Sequence, residues 1–301
     1  MAQKPVLHDS STEILVIYQD DAEKNRVQVV LHDETISGAR MKKQTQEEMA
    51  SALNGVFWDR ETCKLNIPFQ KTVDEALRVF DKNLPMIACH AVSTLEHIPL
   101  TFAQAVTISH GYSVSDLSIR DLNRVDNYFS GMRALTEMIK VGQFGLNKYT
   151  ACVLHGLTGK GEAKNYGQFR NGSVGLYQVM YSPPEALHLP EIAERGDAYL
   201  SNEIEDPKER AIGVFLFMAR NLFFFDVNKR TASLMMNGVL LSHGYAPLTF
   251  LTKSSQHFDK VLTDFYESGD ANPMMRYFEN QISQLFEEPK PSIPEPKKLE
   301  L

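Results

Sequence analysis

Residues 222–232, Leu-Phe-Phe-Phe-Asp-Val-Asn-Lys-Arg-Thr-Ala, place an acid, an amide and two cations where one apolar helix ends and another begins. The first free amides of a helix carry a partial positive charge, so cations there are normally disfavoured by up to ~1 kcal/mol. Lys229 and Arg230 nevertheless occupy that turn, which favours an anion such as a phosphate group at the helix start. Asn228 can donate to the same group, and Asp226 can hold a Mg²⁺ that bridges phosphate oxygens.

The same residues also fit a purely structural role. Asp226 or Asn228 can cap the helix while both cations point into water, and helix caps are far more common than phosphate sites. Spacing alone therefore favours the structural role over the anion site.

Composition narrows the class of protein. The chain has 301 residues and a net charge of −7, which argues against a general nucleic-acid-binding surface. Cys63, Cys89 and Cys152 lack CxxC spacing, so we expect no disulfide framework or zinc site, and a reducing cytoplasm. The apolar run at 214–225 is too short for a membrane span and contains Arg220, which predicts a buried core helix.

The elements that must position these residues are mostly helical. β-branched runs at Ile14–Tyr18 and Val27–Leu31 predict an N-terminal hairpin. A second short hairpin or flap is predicted over residues 167–179, ended by Pro183-Pro184. Apolar periodicity predicts helices near 42–55, 72–91, 115–139, 149–157, 189–202, 207–225, 230–242, 255–267 and 273–286. Ser115 is the expected N-cap of the third helix, and Gly244 is expected to end the seventh.

Residues 222–232 resemble the signature of the Fic/Doc (Fido) family, His-x-Phe-x-Asp/Glu-Gly-Asn-Gly/Lys-Arg, whose Doc branch continues Asn-Lys-Arg-Thr-Ala. The matching positions are Phe224, Asp226, Asn228, Lys229, Arg230, Thr231 and Ala232. Upstream, residues 154–157, 167–170 and Pro183-Pro184 are similar to the helix and target-docking flap of the family, in the same order. The resemblance covers roughly residues 115–247.

The resemblance implies a Fido-type helical core with a small β-hairpin flap, preceded by an N-terminal α+β region. It implies binding of ATP with Mg²⁺ and transfer of AMP to a hydroxyl group on a protein. Asp226 would then be the metal ligand, and the nucleotide-binding residues would be Asn228, Lys229, Arg230 and Thr231. The flap would align a protein target by strand addition, through Gln168, Arg170, Val174, Leu176 and Val179.

The chain departs from the family pattern at the position of the catalytic histidine, where it has Leu222. Leucine cannot accept a proton, and loss of a positioned general base typically lowers a rate by about 10²–10⁴-fold. His243 lies at the far end of the following helix, ~20 Å away, and cannot substitute. His155 is interpreted as a packed helix histidine and His188 as a loop histidine.

Three smaller departures accompany the missing histidine. Val227 replaces a glycine or alanine, which is unfavourable if that position needs positive φ. Ser233 stands where many Fic proteins have a second arginine. Glu96 resembles the glutamate of a regulatory helix that blocks productive ATP binding, although its flanks Val92 and His97 differ from that pattern.

The glycine-rich segment 156–161 contains Lys160 but lacks P-loop spacing, so we interpret it as a surface turn. We expect an N-terminal hairpin and helical region at 1–110 with a regulatory or recognition role, the Fido core at 111–250, C-terminal helices at 251–288 and a disordered tail at 289–301. Membrane and general nucleic-acid partners are not expected.

Three functions remain compatible with the sequence. The first is a nucleotide-binding Fido protein whose catalysis is absent or altered. The second is a non-catalytic protein-interaction module on the same scaffold. The third is an active transferase of shifted chemistry with a base from elsewhere.

Overall fold

The computed structural model describes the backbone of residues 14–17 and 28–31, together with residues 45–61, 64–177 and 179–286. The chain divides into two compact units, residues 1–48 and 49–301. In the first unit, β1 (Ile14–Ile17) and β2 (Gln28–Leu31) pair antiparallel, with Ile14 opposite Leu31. The predicted N-terminal hairpin is therefore confirmed. The predicted disordered tail and Cys63 lie outside the described residues.

The remaining described residues are mostly helical, which confirms the predicted fold class. Helix α1 covers residues 45–52. The others are α2 (Val73–Lys82), α3 (Leu84–Glu96), α4 (Phe102–Ser109), α5 (Ile119–Lys140), α6 (Lys148–Thr158), α7 (Leu189–Asn202), α8 (Pro207–Asn221), α9 (Asn228–Ser242), α10 (Ser255–Ser268) and α11 (Asn272–Phe286). Single 3₁₀ turns lie at Ala186–His188 and Thr252–Ser254.

Helices α8 and α9 form the centre of the second unit. All residues of α8 from Ala211 onward are buried, and so are all residues of α9 from Arg230 to Leu241. A helix that is buried on every side must be surrounded by other elements. α5 and α6 pack on α9, and α7 packs on α8. The loop between α8 and α9 is thereby held between two rigid helices.

Side-chain caps define where several helices begin. Thr72, Ser118 and Asn147 each accept an amide hydrogen bond at the start of α2, α5 and α6. The predicted cap at Ser115 is wrong, because the chain becomes helical three residues later and Ser118 accepts from Asp121 N at 3.0 Å. Gly244 has φ +74° just beyond α9, as expected for a helix-ending glycine.

Other element predictions need correction. The helix expected at 72–91 is two helices, α2 and α3, with Pro85 in the first turn of α3. α4 was not predicted, although its capping box of Thr101 and Gln104 is a readable signal. α8 ends at Asn221 rather than 225, because Leu222 adopts a left-handed conformation.

The described residues do not form the predicted small β-hairpin flap. No described residue of 167–184 lies in a β-strand, and the segment follows an irregular path across the surface. The N-terminal α+β region and the domain boundaries at 110, 250 and 288 stay predictions. None of the described helices combines the length and the apolar character needed to cross a bilayer.

The contact between α7 and α8 depends on a helical glycine. A Cβ added at Gly196 would lie 2.1 Å from Cζ of Phe217, whose side chain is almost fully buried. We expect Gly196→Ala to lower the free energy of unfolding by about 1–3 kcal/mol through overpacking, measured by urea denaturation. Gly175→Ala is the matched control, since a Cβ there meets nothing within 4 Å. Equal stability of the two variants would contradict this prediction.

Candidate anion site at the start of α9

Two residues with positive φ bracket the loop that joins α8 to α9. Leu222 has φ 47° and Val227 has φ 62°. A left-handed residue after the last helical turn is a common way to end a helix, so Leu222 acts as the cap of α8. Positive φ at a β-branched residue is a genuine outlier and stores strain of about 1–3 kcal/mol. Burial of the Val227 side chain offsets this strain, since only 2% of its surface is exposed.

The Asn228 side chain fixes the loop from inside. Its Nδ2 donates to the carbonyl oxygen of Phe224, and its Oδ1 accepts from the Phe224 amide, both at 2.9 Å. Asp226 Oδ1 accepts from the following amide, Val227 N, at 2.7 Å. The amide and the acid predicted for ligand binding thus both contribute to the conformation of their own loop.

The first turn of α9 has no side-chain cap. Thr231 does not face this turn, because its buried Oγ1 donates to the Val227 carbonyl oxygen at 2.9 Å. Asp226 is exposed and Lys229 is half-buried beside the uncapped amides. Uncapped helix amides next to a cation form a surface that suits an anion.

Arg230 lies on the opposite, buried side of the same turn, with no exposed surface. Its Nε donates to Glu96 Oε1 at 2.9 Å and its Nη2 to Glu162 Oε2 at 2.8 Å. Its Nη1 also donates to the carbonyl oxygen of Thr158 at 3.4 Å. Burial disfavours the charged guanidinium, but the two carboxylates outweigh this effect and raise the pKa of Arg230.

The carboxylates around Arg230 extend into a larger polar network. Glu162 Oε1 lies 2.6 Å from Arg124 Nε, so this side chain is shared between two arginines. Ser233 donates to the Arg230 carbonyl oxygen at 2.8 Å and bonds to the hydroxyl of Tyr128 at 2.8 Å. Burial raises the pKa of Tyr128 to about 12. Glu96 pairs with Arg230. The second arginine of the family would stand one helical turn later, at the position of Ser233.

His155 supports the loop as a neutral side chain. Its Nδ1 accepts from the Gly167 amide at 2.9 Å, and its Nε2 lies 3.1 Å from the Asp226 carbonyl oxygen. Since Nδ1 accepts a hydrogen bond, the ring proton is on Nε2 and is donated to Asp226. The ring stacks on Phe224 with a centroid distance of 3.8 Å. Burial lowers the pKa of His155 to about 4.

The other histidines considered as substitutes lie elsewhere. His188 is exposed at the end of a 3₁₀ turn, and His243 is exposed beyond α9 with Nδ1 on the Val239 carbonyl oxygen. Leu222 itself is buried, with 6% of its surface exposed. None of these groups brings a free proton acceptor to the position of Leu222.

Arg170 anchors the flap segment to the loop. Its backbone amide donates to the Phe223 carbonyl oxygen at 2.9 Å, and its Nε donates to that of Leu222 at 2.6 Å. Its remaining nitrogens donate to the carbonyl oxygens of Gly172 and Pro184. Arg170 is almost fully buried, so the structure gives this predicted docking residue a bracing role.

The tip of the flap segment has an inner and an outer face. Leu176 and Val179 are partly buried against the core, and Val174 is half-buried. Gln168 is exposed, as are Tyr177 and Met180 at 88% and 90% of their surfaces. Tyr177 and Met180 do not belong to the set of docking residues predicted from the sequence.

A magnesium ion would have Asp226 as its protein ligand. Among the described residues no group of three or more His, Cys, Asp or Glu side chains could hold a metal. Mg²⁺ suits such a site, because it commonly binds one or two carboxylates and completes its coordination with waters and substrate phosphates. Asp226 is exposed and uses Oδ1 for the Val227 amide, so the residues present fit this mode.

The chain is similar to known proteins in sequence family and in fold. Residues 145–240 match the Fic/DOC family. Similar folds occur in a Fic family protein from Desulfovibrio desulfuricans G20 (TM-score 0.58, 19% identity, 69% of this chain and 64% of that chain) and in Fic-1, residues 134–508, from C. elegans (TM-score 0.60, 17% identity, 83% and 72%). A Fic domain containing signaling protein from Bacteroides thetaiotaomicron VPI-5482 is also similar (TM-score 0.56, 16% identity, 79% and 93%). No match was found among curated proteins.

These identities establish the fold alone. The chain spans less than two thirds of the Desulfovibrio protein. The predicted resemblance is confirmed for residues 145–240, which match the family, and the predicted helical core is confirmed by the fold.

Replacing Arg230 tests the buried ion pairs. Arg230→Met leaves Glu96 without its partner and Glu162 with Arg124 alone, and we expect a loss of about 3–5 kcal/mol in the free energy of unfolding. Lys229→Met removes a neighbouring charge and should change the free energy of unfolding by no more than about 0.5 kcal/mol. Adding Glu96→Gln and Glu162→Gln to Arg230→Met should recover part of the loss. Equal urea midpoints for the two methionine variants would contradict the prediction.

The pKa of His155 predicts a pH dependence of stability. Its folded-state value of about 4 lies below the ordinary 6.5, so the unfolded chain binds the extra proton first as pH falls. This stabilisation is complete above pH 6.5 and decreases towards pH 4, by about 3 kcal/mol in total.

The measurement is the free energy of unfolding of wild type and His155→Gln between pH 4 and 7. The variant should lose the slope that belongs to one histidine. The difference between the proteins is decisive, because burial raises the pKa of Asp197 to about 7 and gives a slope of opposite sign. Parallel pH curves would show that His155 is protonated as easily in the folded protein as in the unfolded chain.

Proposed function

From the premise that residues 145–240 form a Fic/DOC-family segment in a chain with the fold of Fic-domain proteins, we propose that the protein binds ATP with Mg²⁺ at the start of α9 without transferring AMP. The observation that carries this proposal is the pairing of an uncapped start of α9 with an apolar residue, Leu222, at the other end of the same loop. The first feature favours phosphate binding, and the second removes the proton acceptor.

The phosphate groups would lie against the free amides of the first turn of α9. Lys229 would add a positive charge there, and Asp226 would hold the metal ion. When bound, Mg²⁺ would neutralise phosphate charge and orient the phosphates. Asn228 would contribute by keeping the loop in shape through its two bonds to Phe224. These groups are enough for binding, since none of them has to move a proton.

Transfer would need a base beside the attacking hydroxyl. His155 is the histidine that contacts this loop, and both its ring nitrogens are already hydrogen-bonded. Its pKa near 4 reflects an environment that resists a second proton. Absent or strongly reduced AMP transfer is therefore the expected behaviour.

Arg230 would reach the outer phosphates only after its pairs with Glu96 and Glu162 open. Opening exposes two carboxylates and a guanidinium, so it costs free energy that phosphate binding has to offset. Glu96 would in this way regulate nucleotide affinity. Its ion pair with Arg230 at 2.9 Å supports such a role.

The second candidate function is a non-catalytic interaction module that ignores nucleotides. The complete burial of Arg230 favours this second function, because Glu96 and Glu162 already balance its positive charge. A protein partner would dock on the flap tip, where Tyr177 and Met180 are exposed. A cytoplasmic location, predicted from the cysteines, fits either function.

Calorimetric titration with Mg²⁺ and ATP separates the two candidates. We expect saturable binding to wild type, weakened about tenfold in Lys229→Gln because one charge-assisted contact is lost. Lys260→Gln on the exposed face of α10 is the matched control and should bind like wild type. Glu96→Gln should bind more tightly, since Arg230 is then released more easily.

Two results would count against this proposal. Absence of binding in both wild type and Glu96→Gln would favour the interaction module. Transfer of label from the α-phosphate of ATP to protein, in amounts that match enzyme turnover, would show an active transferase of shifted chemistry.

A further inference from the structure

A cavity of about 540 Å³ lies between α5 and the turn after α6. One wall is a single face of α5, whose polar residues recur at helical spacing: Arg120, Asn123, Arg124 and Asn127. The other wall is the turn Lys160-Gly161-Glu162. Binding sites for small molecules typically measure about 300–1,000 Å³, so the cavity has room for one.

The cavity carries positive charge that the protein does not neutralise. Arg120 and Lys160 are exposed, and within the described ranges neither forms an ion pair or a side-chain hydrogen bond. This local positive charge contrasts with the net charge of −7 for the whole chain. Two unpaired cations on facing walls of a cavity favour an anionic occupant.

Glu162 does not cancel this charge. Its Oε1 pairs with Arg124 at 2.6 Å and its Oε2 with Arg230 at 2.8 Å. Only 7% of the Glu162 side chain is exposed. One carboxylate is thus shared by two guanidinium groups, and Arg124 has in addition only a longer contact of 3.5 Å to Asp121.

The cavity is also held in shape before any ligand arrives. Asn127 Nδ2 donates to the Lys160 carbonyl oxygen at 2.7 Å and ties the turn to α5. Gly161 has φ +71° with open space around it, so the backbone of the turn is accessible from the cavity. Asn123 is exposed on the α5 wall and offers an amide to hydroxyl or phosphate groups.

We propose that this cavity, none of whose lining residues belongs to α9, is a binding site for a phosphate-bearing small molecule. Arg120 and Lys160 contact the phosphate from the two walls, and Arg124 contributes a third positive charge from α5. Asn123 and the Gly161 backbone contact the less charged part of the ligand. The segment that lacks P-loop spacing thereby forms a phosphate site together with α5.

Pyrophosphate is the probe for this site, followed by calorimetry and by amide NMR signals of the full chain. We expect saturable shifts at Asn123, Lys160 and Gly161. The double variant Arg120→Gln/Lys160→Gln should lose at least about tenfold in affinity. The control Lys260→Gln/Arg276→Gln removes the same charge from exposed positions on α10 and α11 and should retain wild-type affinity.

The NMR signals keep this test separate from the test of the proposed function. Shifts confined to Lys229 and its neighbours would support binding at the start of α9 and overturn the cavity site. Equal loss of affinity in both double variants would also overturn it, because binding would then follow net charge alone. A Gly161 signal that does not move in the wild-type protein would overturn the cavity site as well.

Discussion

A guanidinium group without exposed surface sits in the middle of the helical unit, and the surrounding elements are arranged to neutralise it. Arg230 begins the buried part of α9, Glu96 ends α3, and Glu162 follows α6. An unpaired buried charge costs several kcal/mol, so these three segments have to meet at one point. The position of α3 over the start of α9 is therefore an electrostatic requirement as well as a packing preference.

In the loop before α9, polar side chains form hydrogen bonds with backbone groups. Asn228 bonds to Phe224, His155 to Asp226 and Gly167, and Arg170 to Leu222. Irregular backbone inside a protein leaves carbonyl and amide groups without partners, and these side chains satisfy them. Residue types that are typical of a reaction centre thus also form a well-connected scaffold. This dual use explains why spacing alone could not separate ligand binding from structure.

Prediction from sequence succeeded where the signal is local. Apolar periodicity located α7 at 189–202 and placed the central helices within a few residues. Glu162 was missed because its partners, Arg124 and Arg230, lie 38 and 68 residues away in a chain whose surface has many acids. The bracing role of Arg170 was equally hidden, since its acceptors are carbonyl oxygens that every residue possesses. The burial of Arg230 also depends on tertiary contacts that no motif encodes.

The hydrogen bonds of Arg170 to Gly172 and Pro184 clamp the two ends of the flap segment next to Leu222. Between the clamped ends, Leu176 and Val179 pack against the core, whereas the side chains of Tyr177 and Met180 are exposed. A longer chain at this exposed tip costs loop entropy of about 0.6 kcal/mol for each doubling of the loop length. Insertions and deletions at the tip should therefore be tolerated during evolution, so that this one surface can diversify while α8 and α9 stay unchanged.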